Sequence, residues 1–310
     1  MPDSRPNHLD QDLCKIDSAD LVERIAEIGR CVVAYSGGVD SAVVAAAAMR
    51  ADQRRLRVEP DDASSCVDQR SIAVTADSPS VSREQLETAV RVAAEIGLRH
   101  EIIATNEIDR ADYRLNDRRR CFFCKQTLYA AMGKFADSIG VTKILSGTNA
   151  EDLGDYRPGI EAGSQAGVFA PLADLGLTKA RVRGIAQNWG LSIAERPAQP
   201  CLSSRIAYGV GVTRDRLRKV ELAETFLRSR DYSPLRVRLL EDDCARIEVP
   251  LDSIDRLNEE LELGTVIDYL NSIGFPSVSV DPRGFRSGSM NELIQLQPNP
   301  QVASRLSEVE

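Results

Sequence analysis

The sequence predicts an α/β protein: a doubly wound parallel sheet followed by a second, smaller α+β domain. Three observations carry that expectation. Short apolar runs alternate with helical patterns over the first 195 or so residues, the βαβα order that builds a parallel sheet covered by helices. A glycine- and serine-rich turn, SGGVDS, joins one such run directly to a long helical pattern. After about residue 195 the order changes to helix, two strands, helix and strand, a unit with its own core.

Taken in chain order, CVVAYS (31–36), SIAVTA (71–76) and KILSGT (143–148) are short apolar runs bounded by polar or glycine-rich residues and read as buried strands. Between them DSAVVAAAAMRAD (40–52), SREQLETAVRVAAEIG (82–97) and CKQTLYAAMGKFADSIG (124–140) read as helices. The last two end at glycine, which readily takes the left-handed conformation that closes a helix. QRRLRVEPDDASSCVDQR (53–70), rich in charge, with proline and serine, reads as a surface insertion in which Cys66 has no catalytic role. The second unit holds a helix near 213–230, strands at LRVRLL (235–240) and ARIEV (245–249), a helix over 251–270 and a strand at SVSVD (277–281). The expected division is a tail (1–20), an α/β domain (21–195), an α+β domain (196–295) and a second tail (296–310), both tails disordered.

Composition sets the class. The 310 residues are 43% hydrophobic and 28% charged, as in an ordinary globular protein of about two domains. A formal net charge of −8 argues against general nucleic-acid binding, which draws on a lysine and arginine excess. No apolar run approaches the roughly 20 residues of a membrane helix, and MPDSRPNHLDQD lacks the basic-then-apolar order of a signal peptide. The expected location is cytoplasmic. Seven cysteines, an odd number, fit metal or cluster ligation, catalysis or core packing better than a disulfide framework.

The turn SGGVDS has a physical reading. A strand ending in Ser36-Gly37-Gly38 and running into a helix at Asp40-Ser41 points several backbone N–H groups into one concavity at a helix N-terminus. Glycine permits the positive φ and close approach that such an anion nest requires, and serine hydroxyls add donors. The expected ligand is a phosphate or pyrophosphate. The lysine-containing P-loop pattern is absent; SGGVDS instead resembles the PP-loop of the ATP pyrophosphatases, which cleave ATP to AMP and pyrophosphate. A carboxylate beside phosphates is repelled unless a divalent cation lies between, so Asp40 implies magnesium. AVTADSPS (73–80) follows a strand, placing Ala76 against adenine and Asp77 at the strand's carboxyl end. GTNAEDLGDYRPG (147–159) puts Gly147, Thr148 and Asn149 at the end of the third strand, with Asp152 and Asp155 nearby. Ligands of open parallel sheets bind at the carboxyl ends of strands, so the three motifs converge, although the second and third taken alone are also ordinary polar loops.

The cysteines address what ATP activates. Cys121 and Cys124, in RRRCFFCK, have a spacing that suits zinc, an iron–sulfur cluster or a dithiol pair. Cys201, in QPCLSSRIAYG, lies beside Ser203, Ser204 and Arg205, a polar setting in which the arginine favours the thiolate. Cys31 and Cys244 sit in or beside apolar strands and read as packing. Arg236 and Arg238 alternate on LRVRLL and so share one strand face. Arg246 and Glu248 share another; they could form an ion pair or line a pocket, and Arg286 is a similar case.

SGGVDS, RCFFCK, GTNAEDLGDYRPG, PLADLGLTKARVR (171–183), PCLSSRIAYG, ARIEVP (245–250) and GFRSGSMNE (284–292) together resemble the LarE family of ATP-dependent sulfur transferases, over about residues 21 to 295. The resemblance implies a role in making the nickel-pincer nucleotide cofactor. One carboxylate of pyridinium-3,5-biscarboxylic acid mononucleotide would be adenylylated, and sulfur would displace AMP to leave a thiocarboxylate. It also implies two kinds of member. In one, a cysteine matching Cys201 gives up its own sulfur and works once; in the other, three cysteines hold a [4Fe-4S] cluster that carries exchangeable sulfide. Cys121, Cys124 and Cys201 match the second. By the same resemblance Arg236 and Arg238 bind the substrate phosphate, with Ser204, Arg205 and Arg286 near it, and the assembly is a hexamer. The sulfide source stays open. Two other classes fit parts of the pattern: a PP-loop tRNA thiolase, disfavoured by the acidic balance and the lack of an RNA-binding module, and a nucleotide-binding domain with structural zinc, which lacks an evident fourth ligand. Glutamine-fed amidation would need an ammonia source that no segment supplies.

Overall fold

The computed structural model describes residues 8–58, 70–154 and 158–286. The chain forms two compact units, Met1–Pro200 and Cys201–Glu310.

The first unit is an α/β layer structure. Its elements are α1 (His8–Ile28), β1 (Val32–Ala34), α2 (Val39–Val58), β2 (Ile72–Asp77), α3 (Arg83–Ile96), β3 (Arg99–Ala104), α4 (Ala111–Arg114), α5 (Arg120–Ser138), β4 (Ile144–Leu145), α6 (Pro158–Gln165), α7 (Pro171–Asp174) and α8 (Lys179–Asn188). The sheet runs β3-β2-β1-β4, every pair parallel. β1 lies inside it, with Val32 facing one hydrophobic cluster and Val33 the other, as alternation along a strand dictates. The alanine run explains the packing of α2: Ala42 and Ala45 to Ala48 are all buried, and their small side chains let α2 touch α1, α3 and α8.

Several boundaries depart from the sequence reading. The N-terminal tail expected over 1–20 contains a helix from His8 onward, because Leu21, Val22 and Ile25 of α1 are buried in the main core. The helix expected to stop at 52 continues to Val58, through the first residues of the expected insertion. Asp52 anchors that stretch: its carboxylate accepts from the Ser71 backbone N–H at 2.6 Å and from the Ser71 hydroxyl at 3.1 Å. Positions 59–69, Cys66 among them, lie outside the described residues, as do Asp155 and the tail from 296. β3 has no counterpart in the reading. RHEIIA mixes charge with apolar residues because it is an edge strand and none of its six residues is buried.

The second unit holds α9 (Arg214–Arg228), β5 (Arg236–Leu239), β6 (Ala245–Glu248), α10 (Ile254–Glu262), α11 (Thr265–Ser272) and β7 (Val278–Val280). β5 pairs antiparallel with β6, and β6 parallel with β7. The single helix expected over 251–270 is two helices, broken at Gly264, whose φ of +83° is left-handed. Two buried ion pairs lie in this unit. Arg205 donates to both carboxylate oxygens of Glu224 at 2.9 and 3.3 Å, and Arg238 to both of Glu248 at 3.0 and 2.9 Å. The Glu224 side chain is 1% exposed. Burial would raise its carboxyl; the charge and hydrogen bonds of Arg205, with Arg228 and the Val237 N–H, win and hold it below its ordinary 4.5.

Removing Glu224 while leaving Arg205 buried should cost about 3–5 kcal/mol, so Glu224→Ala should markedly lower the thermal midpoint of this unit. Because the folded carboxyl is depressed, the pair stabilises fully above the unfolded value of 4.5 and loses that contribution as pH falls through the folded value. Urea titrations of wild type and Glu224→Gln at descending pH should therefore converge on the acid side.

Candidate functional site

The strand order places the site. From β1 the chain moves outward to β2 and β3, then crosses to β4 on the other side of β1. The loops after β1 and β4 therefore leave side by side at the point where the order reverses, where open α/β sheets bind ligands. Gly147, just past β4, lies so close to the start of α2 that a Cβ there would stand 2.7 Å from the Ser41 N and 3.0 Å from the Asp40 carbonyl carbon. Gly37 is constrained twice: its φ is +73°, and a Cβ would meet the Ala89 Cα of α3 at 2.8 Å. These two glycines are what brings the loop residues together.

Within the turn, hydroxyl and backbone groups close on one another. The Ser36 N–H donates to Ser41 Oγ at 3.2 Å, the Gly38 N–H to Ser36 Oγ at 3.3 Å, and Ser41 Oγ donates to the Gly38 carbonyl at 3.0 Å. Asp40 receives the Asn149 side-chain amide at 3.2 Å. Asn149 is fully buried and trades two bonds with Asp152: its N–H donates to the carboxylate at 3.3 Å, and the Asp152 N–H donates to the Asn149 side-chain oxygen at 3.2 Å. Burial raises the Asp40 carboxyl above its ordinary value; the Asn149 bond opposes this, the Asp152 charge adds to it, and Lys179 and Arg183 lower it. Thus Ser36, Gly37, Gly38, Asp40, Ser41, Gly147, Asn149 and Asp152 converge, with Thr148 joined by a bond from the Ser146 hydroxyl at 3.1 Å.

The second loop is fixed from below. β2 ends at Asp77, whose carboxylate meets Arg83 at 2.6 Å on the surface. Behind it Glu107, 2% exposed, accepts from the hydroxyls of Ser80 at 2.9 Å and Thr105 at 3.0 Å, and Ser80 also meets the Tyr113 hydroxyl at 2.6 Å. This network and Lys179 were not singled out in the sequence. Lys179 stood in the quoted PLADLGLTKARVR; its only local signal was a helix start at Thr178, whose side chain caps the Arg181 N–H.

Cys121 and Cys124 lie three residues apart in the first turn of α5, on adjoining positions of one helical face. Cys121 is exposed and Cys124 partly exposed. Arg119 lies over the Phe122 ring at 4.5 Å and Arg110 over the Phe123 ring at 5.2 Å. In the second unit, partly exposed Cys201 heads a short 3-10 turn over Leu202–Arg205. Arg205 donates to the Cys201 carbonyl at 3.1 Å and to Ser204 Oγ at 3.0 Å; Ser204 donates to the same carbonyl at 2.7 Å; Arg238 donates to the Ser204 carbonyl at 2.9 Å. The two paired arginines therefore hold the backbone that carries Cys201. Arg236 differs. Among the described residues no carboxylate lies within ion-pair distance of it, and burial together with Arg205 and Arg238 lowers it to about 10, still cationic at neutral pH. Arg286 is half-buried at the end of the described chain. Arg246 and Glu248 do not pair: Arg246 lies 3.7 Å from Asp281 while Glu248 holds Arg238. Cys31 is buried, and burial pushes its thiol up to about 12, as packing requires.

Magnesium fits Asp40, because that ion takes one or two carboxylates and completes its shell with phosphate oxygens and water. Within neither unit, among the described residues, do three His, Cys, Asp or Glu side chains gather as a metal-binding group. Cys121 and Cys124 lie one helical turn apart, and a metal group held by three cysteines would need its third thiol from outside that turn.

No protein-family model matches the chain. Over 283 residues it is 31% identical to the pyridinium-3,5-bisthiocarboxylic acid mononucleotide synthase of Lactiplantibacillus plantarum, covering 89% of this chain and 94% of that protein. The chain belongs to the LarE family. It is also 39% identical over 268 residues to an uncharacterised protein of Synechocystis, covering 86% and 94% of the two chains. A protein of Methanocaldococcus jannaschii is 25% identical over 266 residues, or 83% and 91%. The three matched regions each cover 83% of the chain or more and so span both units, placing the turn after β1 and the Cys201 segment in one matched chain.

Gly147→Ala should force the loop after β4 away from Ser41 at a cost of about 1–3 kcal/mol. Calorimetry should show a lowered midpoint for the first unit, and hydrogen exchange should quicken at the Ser41 amide.

Proposed function

We propose that this protein is an ATP-dependent sulfur transferase of nickel-pincer cofactor synthesis, acting on pyridinium-3,5-biscarboxylic acid mononucleotide. The observation that carries the reading is the nest from Ser36 to Ser41 set at the switch point against Gly147 and Asn149, in a chain whose relative from L. plantarum is named for the bisthiocarboxylic product.

The residues divide the work in two. Backbone N–H groups and hydroxyls of Ser36, Gly37, Gly38 and Ser41 receive the phosphates, with the N-terminal end of α2 aligned toward negative charge. Asp40 holds magnesium, and Ala76 and Asp77 border the adenine. A substrate carboxylate oxygen attacks the α-phosphorus, the bond to the bridging oxygen breaks, and pyrophosphate leaves with the electron pair. The resulting acyl adenylate carries AMP, a far better leaving group than oxide, and sulfide attacks its carbonyl carbon to give the thiocarboxylate. Arg236 answers the substrate phosphate, while Ser204, Arg205 and Arg238 keep the Cys201 turn in place for it. Cys121, Cys124 and Cys201 would hold a [4Fe-4S] cluster, which when bound supplies an iron with an open position for exchangeable sulfide.

Iron and acid-labile sulfide, measured on protein purified without oxygen, should come to about four of each or more per chain and be lost in Cys124→Ala. Absence of iron after anaerobic reconstitution would overturn the cluster and leave Cys201 as a single-use donor, visible as a mass loss of one H₂S after turnover. Cys201→Ala should abolish thiocarboxylate formation while pyrophosphate release persists; loss of both would count against the division of labour.

A further inference from the structure

At the end of the parallel sheet opposite the nest, the first unit holds a cavity of about 630 Å³ that the function proposed above does not use. Arg70 stands just before β2 and Arg99 opens β3, so the cavity lies at the amino ends of strands whose carboxyl ends are on the side of the nest. Helix α2 joins the two places: its first turn carries Asp40, and Met49, Leu56 and Arg57 of its second half line the cavity. From Asp40 to the middle of that stretch the helix rises about 20 Å, so a ligand here stays clear of the nest. Two features of the wall select what it can hold. Met49, Leu56 and Leu98 give it an apolar side, with Leu98 buried. Arg57, Arg70 and Arg99 bring three guanidiniums to it in a chain whose net charge is −8. The carboxylate in the wall does not cancel them: Asp52 is buried, and its oxygens are taken by the Ser71 N–H and hydroxyl and by Arg55 at 3.4 Å. Arg99 meets Glu101 at 2.7 Å, but both side chains are exposed, and such a pair contributes little. The end of α3 does not need these cations either, because the Gly97 N–H already caps the carbonyls of Ala93 and Ala94. Arg70 is held at its root, where its carbonyl accepts from Arg30 Nε at 3.2 Å.

We propose that this cavity is a second ligand site, for a phosphate monoester that carries a flat or apolar body. The phosphate dianion bridges Arg57, Arg70 and Arg99, and the body lies against Met49, Leu56 and Leu98. Guanidinium keeps its charge at any working pH, and its forked donors match the oxygens of a phosphate better than a point charge does. A cavity of this size, with an apolar wall and a few polar groups that fix orientation, has the usual form of a small-molecule site. A doubly charged ligand also outcompetes the exposed Glu101 for Arg99 and relieves the repulsion among the three cations. No covalent step takes place here, and the site is independent of the ATP-cleaving reading above.

The test is calorimetric titration of the full-length protein with phenyl phosphate, alongside inorganic phosphate and phenol, for wild type, Arg57→Gln, Arg70→Gln and Arg236→Gln. Wild type should bind phenyl phosphate more tightly than inorganic phosphate and should not bind phenol measurably. Arg57→Gln and Arg70→Gln should each weaken phenyl phosphate binding roughly 10- to 100-fold. Their thermal midpoints should stay at the wild-type value, because both side chains are exposed. Arg236→Gln, in the second unit, should keep wild-type affinity. Wild-type affinity in both cavity variants would overturn the proposal, and its loss in Arg236→Gln instead would assign the phosphate to the second unit. Equal affinity for phenyl and inorganic phosphate, or no binding by wild type, would overturn it as well. Binding that appears only once Asp61 and Asp62 are replaced by asparagine would give the arginines to the chain's own acidic segment, which also overturns it.

Discussion

The approach of the loop after β4 to the first turn of α2 is the contact on which the first unit's site depends. Two backbones meet there with no room for a side chain: a Cβ at Gly147 would stand 2.7 Å from the Ser41 N. That closeness lets Asn149 reach Asp40 and lets Asp152 secure Asn149 from the other side. A fully buried asparagine would be costly without partners. Here its amide N–H bonds and its oxygen are used to fix the two loops to each other, so its burial becomes a source of rigidity. The parallel sheet makes this possible, because reversal of strand order on either side of β1 is what sends the two loops out as neighbours.

Charge is handled differently in the two units. In the first, Asp40 and Asp152 lie together at the turn, with Asp40 raised by its burial against the opposing charges of Lys179 and Arg183. In the second, the arginines Arg205 and Arg238 each face a buried glutamate in two-point geometry, and their remaining donors grip the backbone of the Cys201 turn. Two-point pairing fixes the plane of each guanidinium, which in turn fixes the carbonyls they hold. Arg236 has no carboxylate at ion-pair distance among the described residues, and the charges of Arg205, Arg238 and Arg228 outweigh the opposing one of Glu224. Such a residue favours an anionic ligand because bringing one in relieves the repulsion.

The family membership joins these two designs in one chain, since the matched region of the L. plantarum relative extends over 89% of the sequence. On the proposed function, the nest would serve activation of the acyl group and the cysteine segments the sulfur nucleophile.

The sequence by itself determined the layer order, the strands β1, β2 and β4, the nest and the candidate cysteines. These are local: a strand-turn-helix joint, a run of buried residues or a CxxC spacing is written in neighbouring positions, and steric rules translate it directly. Helix limits followed less well, because α1 and the end of α2 are held by contacts with distant residues such as Ser71. β3 escaped because an edge strand buries little and its pattern stays mixed. Only the tertiary structure decided which charged residue does what. Arg236 and Arg238 stand two apart on one strand and look equivalent, yet Glu248 across the sheet pairs with one, and among the described residues no acid lies at ion-pair distance from the other. Lys179 meets Glu151 and Asp152, carboxylates more than 25 positions away in sequence. Coulomb energy depends on distance in space and on burial, and neither can be read from spacing along the chain.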